Sequence, residues 1–470
     1  MKRTGRQDSM SRTDLAVIGL GNMGVSVLCA ALDKGLSGVG IDTDPAKTSE
    51  LAAGRTIVPE RDADTILATA ISEGRLEIGT SAAAAASARV VFIGVQTPAK
   101  GQECDYTVLK VVLAELAKTA PLGQVIVIGS TVFPGAMASQ LLPVLASRPD
   151  LELVYEPVFL RAGFGIRDYQ QPGKLVAGVR DPQRPNPLLQ ALFAKVVDET
   201  PRYVSYDEAE WIKMVHNAWM CVKISFANEI GALCADWGTD GAAVINIAFG
   251  EGKRGRLLTL SHMLPGAPYS GPCLPKDAQI LGGLLEASNN REWFQSGICT
   301  ALRTSNEHQR EALVTRWLDG ARGSKKPLGV IGVAFRPEFN KVRSSLALDF
   351  FLAARATGQQ VLAYDPAFEG ISKPAFELAA RQDQLVESLY ESVVHPIEKV
   401  WAESSAVVIN RKLTPNELHR IAIVGTQPAC IVDLYDNNIA LTAARSVPVS
   451  PPHLRAIAPS HPPQSARLTA

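Results

Sequence analysis

Leu15-Ala16-Val17-Ile18-Gly19-Leu20-Gly21-Asn22-Met23-Gly24 is the stretch on which the fold turns. Four apolar residues, enough for a short buried strand, run straight into Gly-x-Gly-x-x-Gly. Met23–Leu36 then continues at the spacing of a helix, and Val39–Ile41 forms a second strand ending in Asp42. The first glycine of such a cluster permits a tight turn. The second lets the backbone approach a pyrophosphate, and the third allows the helix to pack closely on the strand. Free N–H groups at the helix start attract the phosphates. Asp42 lies 23 residues after Gly19. A carboxylate there accepts hydrogen bonds from ribose hydroxyls and repels a 2′-phosphate, which points to NAD over NADP. Gly19, Gly21, Asn22, Met23, Gly24 and Asp42 are therefore the predicted cofactor-binding residues. Asp44 reads as the N-cap of the next helix.

Outward from this unit the alternation continues. Val90–Val95 and Val125–Gly129 are strand candidates, with a helical pattern over Thr107–Ala120 between them. Repetition at this spacing predicts an α/β fold whose parallel sheet is covered by helices on both faces. From Asp207 to about Asp236 there is no proline and one internal glycine, Gly231, and apolar residues recur at helical spacing. That predicts a helix about 45 Å long, either a link or dimer seam or a buried core element. The last third opens a second Rossmann-like pattern. Leu328–Val333 is a strand, Ser344–Thr357 a helix, and Gln360–Tyr364 a strand ending in Asp365, with further strands at Ala406–Ile409 and Cys430–Leu434. The expected fold class is thus α/β, with two Rossmann-like domains and their parallel sheets joined by a central helical region with a long helix.

Composition narrows the function classes. The 470 residues carry 47 Lys+Arg and 47 Asp+Glu, so the formal net charge is zero. No long-range basic field marks a nucleic-acid or anionic-membrane binder. Apolar runs are strand-length, short of a membrane span. The polar start, through Asp14, lacks an apolar signal core; Met10 is an alternative start, and the cytoplasm is the default compartment. The seven cysteines form no C-x-x-C pair, and most are expected to be small buried residues, outside any disulfide or zinc framework. The histidines show no metal-ligand spacing, so no metal is predicted.

Four more segments carry chemistry: Gly129–Gly135 (GSTVFPG), Glu156–Asp168 (EPVFLRAGFGIRD), the long helix with Glu210, Lys213, Asn217, Lys223, Asn228 and Glu229, and Pro265–Asp277 (PGAPYSGPCLPKD). With the glycine turn, Val95-Gln96-Thr97-Pro98 and the later GVAFRPEFNKVRSS, they resemble the UDP-glucose/GDP-mannose dehydrogenase family in order and spacing, from about Asp14 to Asn437. The polar start predicts a disordered leader over 1–13, and the Pro-, Ser- and Ala-rich end a disordered tail over 447–470; the resemblance implies an NAD-binding domain over 14–200, a central helical and dimerisation region over 201–305 and a nucleotide-sugar-binding domain over 306–446. It also implies a homodimer through the central helix, with a nucleotide sugar as substrate. The family's usual reaction oxidises the C6 alcohol of a nucleotide hexose twice. A cysteine captures the intermediate aldehyde as a thiohemiacetal, and water hydrolyses the resulting thioester to a uronic acid.

By that resemblance Cys273, Lys213, Asn217, Asp277 and Thr131 are the catalytic residues. Thr97 and Thr131 join the cofactor contacts. Phe159, Leu160, Arg161, Arg256, Tyr269, Gly271 and Arg343 join Lys213 and Asn217 as substrate contacts, and Lys223 matches a family position that is equally well structural. The residue types fit these roles. A thiolate is favoured beside a helix start and a lysine, so Cys273 is a candidate nucleophile toward a carbonyl. Lys213 and Asn217 are four apart, where an ammonium and an amide can hold one oxygen.

The chain also departs from the family's NPEFLxEG. Val158 and Ala162 stand where the family keeps glutamates, and Glu156 sits earlier in the motif with no assignable role. Valine neither activates water nor shuttles a proton. The family's KPxTDDxRESP becomes the divergent run from Arg336 to Leu346. Three readings follow: one two-electron oxidation that stops at a carbonyl, a uronic acid made with another base, or a binding protein that has lost catalysis. The first suits a secondary alcohol on an extended sugar chain, such as the octoses handled by relatives in lincosamide-type antibiotic pathways. The retained Lys213, Asn217, Cys273 and Asp277 argue against the third.

Overall fold

β1, Thr13–Ile18, is buried at its last four positions and lies between two parallel neighbours. Ile18 is level with Ile41 of β2 (Gly38–Ile41) on one side and with Ile93 of β4 (Ala88–Ile93) on the other. The strand order thus reverses at β1, and a crevice opens beyond the carboxyl ends of β1 and β4, the usual place for a ligand in such sheets. The computed structural model describes residues 13–56, 58, 60–161, 163–249, 263–334, 342, 345–369, 373, 376, 389–393 and 395–435. The expected tail, the expected leader up to residue 12, and the candidate residues Ala162, Arg256 and Arg343 lie outside the described residues, while Thr13 already belongs to β1.

The chain forms two compact units, Met1–Trp219 with Lys276–Glu292, and Met220–Pro275 with Trp293–Ala470. In the first, β3 is Leu76–Gly79, β7 Val125–Ile128, β8 Glu152–Tyr155, β9 Val176–Gly178 and β10 Arg202–Val204. The eight-stranded sheet runs β10-β9-β8-β7-β4-β1-β2-β3. It is parallel except where Tyr155 of β8 meets Gly178 of β9 in antiparallel register. That pairing corrects the all-parallel expectation: a strand of only three residues gives no periodic signal of its own. A separate hairpin pairs β5 (Ala99–Lys100) with β6 (Glu103–Cys104). The first helix is Asn22–Asp33, shorter than read, because Gly35 at φ +79° turns the chain before Leu36. Its interior residues Val25, Leu28 and Leu32 pack in one core with Leu15, Val17 and Phe92.

The long helix is Tyr206–Asp236, 31 residues, and the division between the units falls within it. Glu210, Met214 and Asn217 occupy its buried side, whereas Trp211, Val215, Trp219, Phe226 and Leu233 are exposed at helical spacing. In the second unit β11 (Leu328–Ile331), β12 (Val361–Tyr364), β13 (Ala406–Ile409) and β14 (Cys430–Asp433) form a parallel sheet in the order β12-β11-β13-β14. Its core gathers Trp317, Phe350 and Phe368, and the Trp317 indole donates to the Gly329 carbonyl at 3.1 Å. The cysteines are all free, but only Cys29 and Cys221 are buried. Cys104, Cys234, Cys299 and Cys430 are half-buried and Cys273 is exposed, which corrects the expectation of mostly buried thiols.

Candidate active site

The glycine turn has the shape a dinucleotide needs. Gly19 adopts φ +92°, which side chains avoid. A Cβ on Gly24 would stand 1.9 Å from the Gly19 carbonyl oxygen, so only glycine lets the helix sit this close. A Cβ on Gly21 would meet nothing within 4 Å. Space is therefore open where a pyrophosphate approaches the turn, and the first helix has no side-chain cap at Gly21, leaving its N-terminus to face an anion. Asp42 closes the far side. Its Oδ2 accepts from the Leu20 amide at 2.8 Å and the Lys47 ammonium at 3.1 Å, and its Oδ1 accepts from the Asp44 amide at 2.9 Å. Asp44 is the N-cap of Pro45–Ala52, accepting from Ala46 N–H. These residues fit the predicted cofactor.

A second cluster in the same unit joins the loop after β7, the strand end of β8, the long helix and the helix Leu274–Glu286. The Thr97 hydroxyl donates to the Thr131 carbonyl at 3.1 Å, and the Lys276 ammonium donates to the Thr97 carbonyl at 3.4 Å. Asp277 is buried; the Asn217 amide donates to its Oδ2. Its Oδ1 makes no hydrogen bond among the described residues, and the Lys276 ammonium lies 3.5 Å away. Lys213 points elsewhere: its ammonium donates to the Val158 carbonyl at 2.7 Å and stands 4.8 Å from the Phe159 ring centre. Lys213 and Asn217 thus hold different partners here instead of one common oxygen.

Val158 itself packs its side chain into the apolar core, so nothing at that position titrates. Glu156 does not stand in for a missing carboxylate. It is buried beside Leu15, Val27, Phe92 and Val127, it accepts from the Tyr169 hydroxyl at 3.2 Å, and burial pushes its carboxyl up to about 8. Leu160 packs against the same core. Arg161, read as a substrate contact, makes a two-pronged ion pair to Asp168, at 2.9 and 2.6 Å. Two residues with no sequence signal stand beside Phe159. The Lys174 ammonium lies 4.3 Å from the ring centre and 3.0 Å from His216 Nδ1, and the His216 ring meets Phe159 edge-on. Burial, then the Lys213 charge, lowers the Lys174 ammonium.

In the second unit Cys273 immediately precedes the helix Leu274–Glu286. Gly271 takes φ +84° in that loop. Tyr269, also read as a substrate contact, is buried, and its hydroxyl donates to the Leu302 carbonyl at 3.0 Å. Lys223 is buried, and desolvation lowers its ammonium.

Comparison with known proteins completes this picture. Residues 13–197 match the NAD binding domain of the UDP-glucose/GDP-mannose dehydrogenase family, and residues 207–308 its central domain. The chain belongs to this family. It is accordingly an NAD-dependent oxidoreductase of the nucleotide-sugar dehydrogenase class. It is 30% identical over 396 residues to the UDP-glucose 6-dehydrogenase of Rhizobium meliloti, covering 79% of this chain and 88% of that one. It is 28% identical over 365 residues to the GDP-mannose 6-dehydrogenase of Pseudomonas putida, covering 75% and 80%. A UDP-glucose dehydrogenase structure from Pyrobaculum islandicum shares the fold, with a TM-score of 0.76 at 24% identity over 92% of this chain and 97% of that one. No described helix is long and apolar enough to cross a membrane.

Proposed function

We propose that this dehydrogenase oxidises one alcohol of a nucleotide sugar by two electrons and stops at a keto-sugar, with an extended-chain nucleotide octose of an antibiotic pathway as substrate. The observation that carries this reading is at Val158. Its side chain lies in the apolar core and its carbonyl is taken by the Lys213 ammonium at 2.7 Å. Among the described residues, position 158 itself offers no carboxylate to activate water against a thioester, and the Glu156 carboxyl is committed to Tyr169 in the core. A ketone has no aldehydic hydrogen, so a secondary alcohol ends naturally after one oxidation.

Bound at the glycine turn, NAD supplies the hydride acceptor. Gly21, the amides of Asn22 and Met23, and Asp42 would hold it, with Thr97 and Thr131 bordering the reacting end. Lys213 steadies the oxygen as it gains negative charge, the role in which a preorganised cation contributes most. Asp277 Oδ1, buried and without a hydrogen bond among the described residues, is the atom that takes the alcohol proton, while Asn217 fixes the orientation of its carboxylate. The enzyme works in the cytoplasm as a homodimer, and the exposed apolar stripe from Trp211 to Leu233 is the surface that suits a second copy.

A single oxidation leaves Cys273 without a covalent task. Cys273→Ser is therefore expected to retain most of the NADH-forming rate on the true substrate. A burst of a single oxidation followed by loss of all turnover in this variant would return the enzyme to the acid-forming class.

A further inference from the structure

Glu210 is fully buried on the long helix, one turn before Lys213 and two turns before Asn217. A carboxylate so placed is costly unless its lone pairs are satisfied. Both of its oxygens are engaged by backbone of one loop: Oε2 accepts from the Gly135 amide and Oε1 from the Met137 amide, each at 2.7 Å. Burial raises its carboxyl, and the two amides pull it back down. Charge-assisted bonds of this kind are short and strong.

The loop so held is the one that begins at Thr131. Its upstream half is fixed by neutral groups. The Thr97 hydroxyl donates to the Thr131 carbonyl, the Val132 amide donates to the Tyr155 hydroxyl at 3.3 Å, and the Phe133 amide donates to the Tyr106 hydroxyl at 2.9 Å. Its downstream half passes through Gly135 at φ +85°, a conformation with little intrinsic preference to stay in place. Glu210 ties this half to the helix carrying Lys213 and Asn217.

We propose that Glu210 is a positioning residue, which clamps the Thr131 loop to the long helix and so sets Thr131 at its working distance from Lys213 and Asn217. The inference rests on the reading above only in taking Thr131 and Lys213 as participants in the reaction. The clamp has no contact with substrate in this role. Its effect passes through the geometry of reacting groups, where a displacement near 1 Å costs about a hundredfold in rate.

The test uses the full-length enzyme with NAD and its nucleotide sugar. Glu210→Gln keeps the size and one acceptor but turns an NH2 toward a backbone N–H. It is expected to lower kcat by about tenfold or more, with KM for the sugar unchanged. Glu210→Asp, which reaches only one amide, should fall between wild type and Glu210→Gln, and it serves if the glutamine variant does not fold. Because the clamp acts through Thr131, adding Glu210→Gln to Thr131→Ala should cause no further loss. Multiplying losses, or a Glu210→Gln enzyme with unchanged kcat, would overturn the proposal. Hydrogen exchange across residues 131–137 separates this from the reaction reading. If Thr131→Ala and Lys213→Ala are both inert, that reading fails. Faster exchange at Gly135 and Met137 in Glu210→Gln would still support the clamp, and unchanged exchange would refute it.

Discussion

The two units repeat one device and put it to different uses. In each, the first sheet strand ends in a glycine at high positive φ, +92° at Gly19 and +95° at Gly332. In each, the glycine amide donates to the carbonyl at the end of the next strand, Ile41 at 2.7 Å and Tyr364 at 2.9 Å. In each, an aspartate just beyond that strand accepts from the turn, Asp42 from Leu20 and Asp365 from Val333 and Ala334. The difference lies in one residue and in what covers it. Gly21 faces open space, whereas its counterpart Ala334 is buried. A Cβ on either first glycine would be blocked at 2.9 Å, by the Gly94 backbone at Gly19 and by the Arg411 side chain at Gly332. Asp365 is 1% exposed and spends its oxygens on three backbone amides, those of Val333, Ala334 and Ala367. The same strand–turn–aspartate geometry is a cofactor cradle where the second glycine leaves room, and a structural joint where a methyl group fills it.

Buried carboxylates sharpen the contrast most. Asp365 has three amide partners; Glu156 has one tyrosine hydroxyl, and burial raises it from 4.5 to about 8. Because the folded value is raised, the stability attached to this group is complete below about pH 4.5. It is lost as pH rises through about 8, at up to about 1.4 kcal/mol per pH unit. Glu156→Gln keeps a neutral partner for Tyr169 and should flatten that slope, raising the unfolding free energy at neutral pH by several kcal/mol. Equal pH dependence in chemical denaturation of the two proteins would show that Glu156 is ionised and solvated.

The open face at Gly21 comes next in size. Gly21→Val fills space that the fold leaves empty, so it should weaken NAD binding by roughly a hundredfold, ~2.7 kcal/mol, with the thermal midpoint nearly unchanged. A titration showing wild-type NAD affinity would place the pyrophosphate elsewhere. The paired aspartates give the smallest effects and differ in what they do to the cofactor. Asp365→Ala strands two buried amides and a half-buried one and should cost about 1–3 kcal/mol of stability without changing the preference for NAD. Asp42→Ala also strands the Leu20 and Asp44 amides and should cost about 1 kcal/mol or more of stability, but it alone should narrow the gap between NAD and NADP, by about tenfold, ~1.4 kcal/mol. If the two variants behave alike, the distinction between cradle and joint fails.

Much of this was readable before the structure, where chemistry sits in local sequence. The glycine turn, Asp42 at the strand end, the Asp44 cap and a long helix ending at Asp236 all follow from short-range pattern. What escaped the sequence depends on contacts across distance. Lys174 reaches Phe159 and His216 from a loop that has no periodic pattern, and His216 is a lone imidazole between two residues that drew attention for other reasons. Arg161 and Tyr269 match family contacts by type, and their partners in the fold, Asp168 and the Leu302 carbonyl, were not legible beside that match. Residue type alone does not say which partner a guanidinium or hydroxyl finds.

Val158 stands where a second oxidation would need a carboxylate. The most direct measurement is to count NADH formed per nucleotide sugar consumed and to weigh the product by mass spectrometry, across a panel that includes hexose and octose substrates. One NADH per sugar, with a product lighter by two hydrogens, is the expected result. Two NADH per sugar, with a product that has lost two hydrogens and gained an oxygen, would contradict it and restore the uronic-acid reaction.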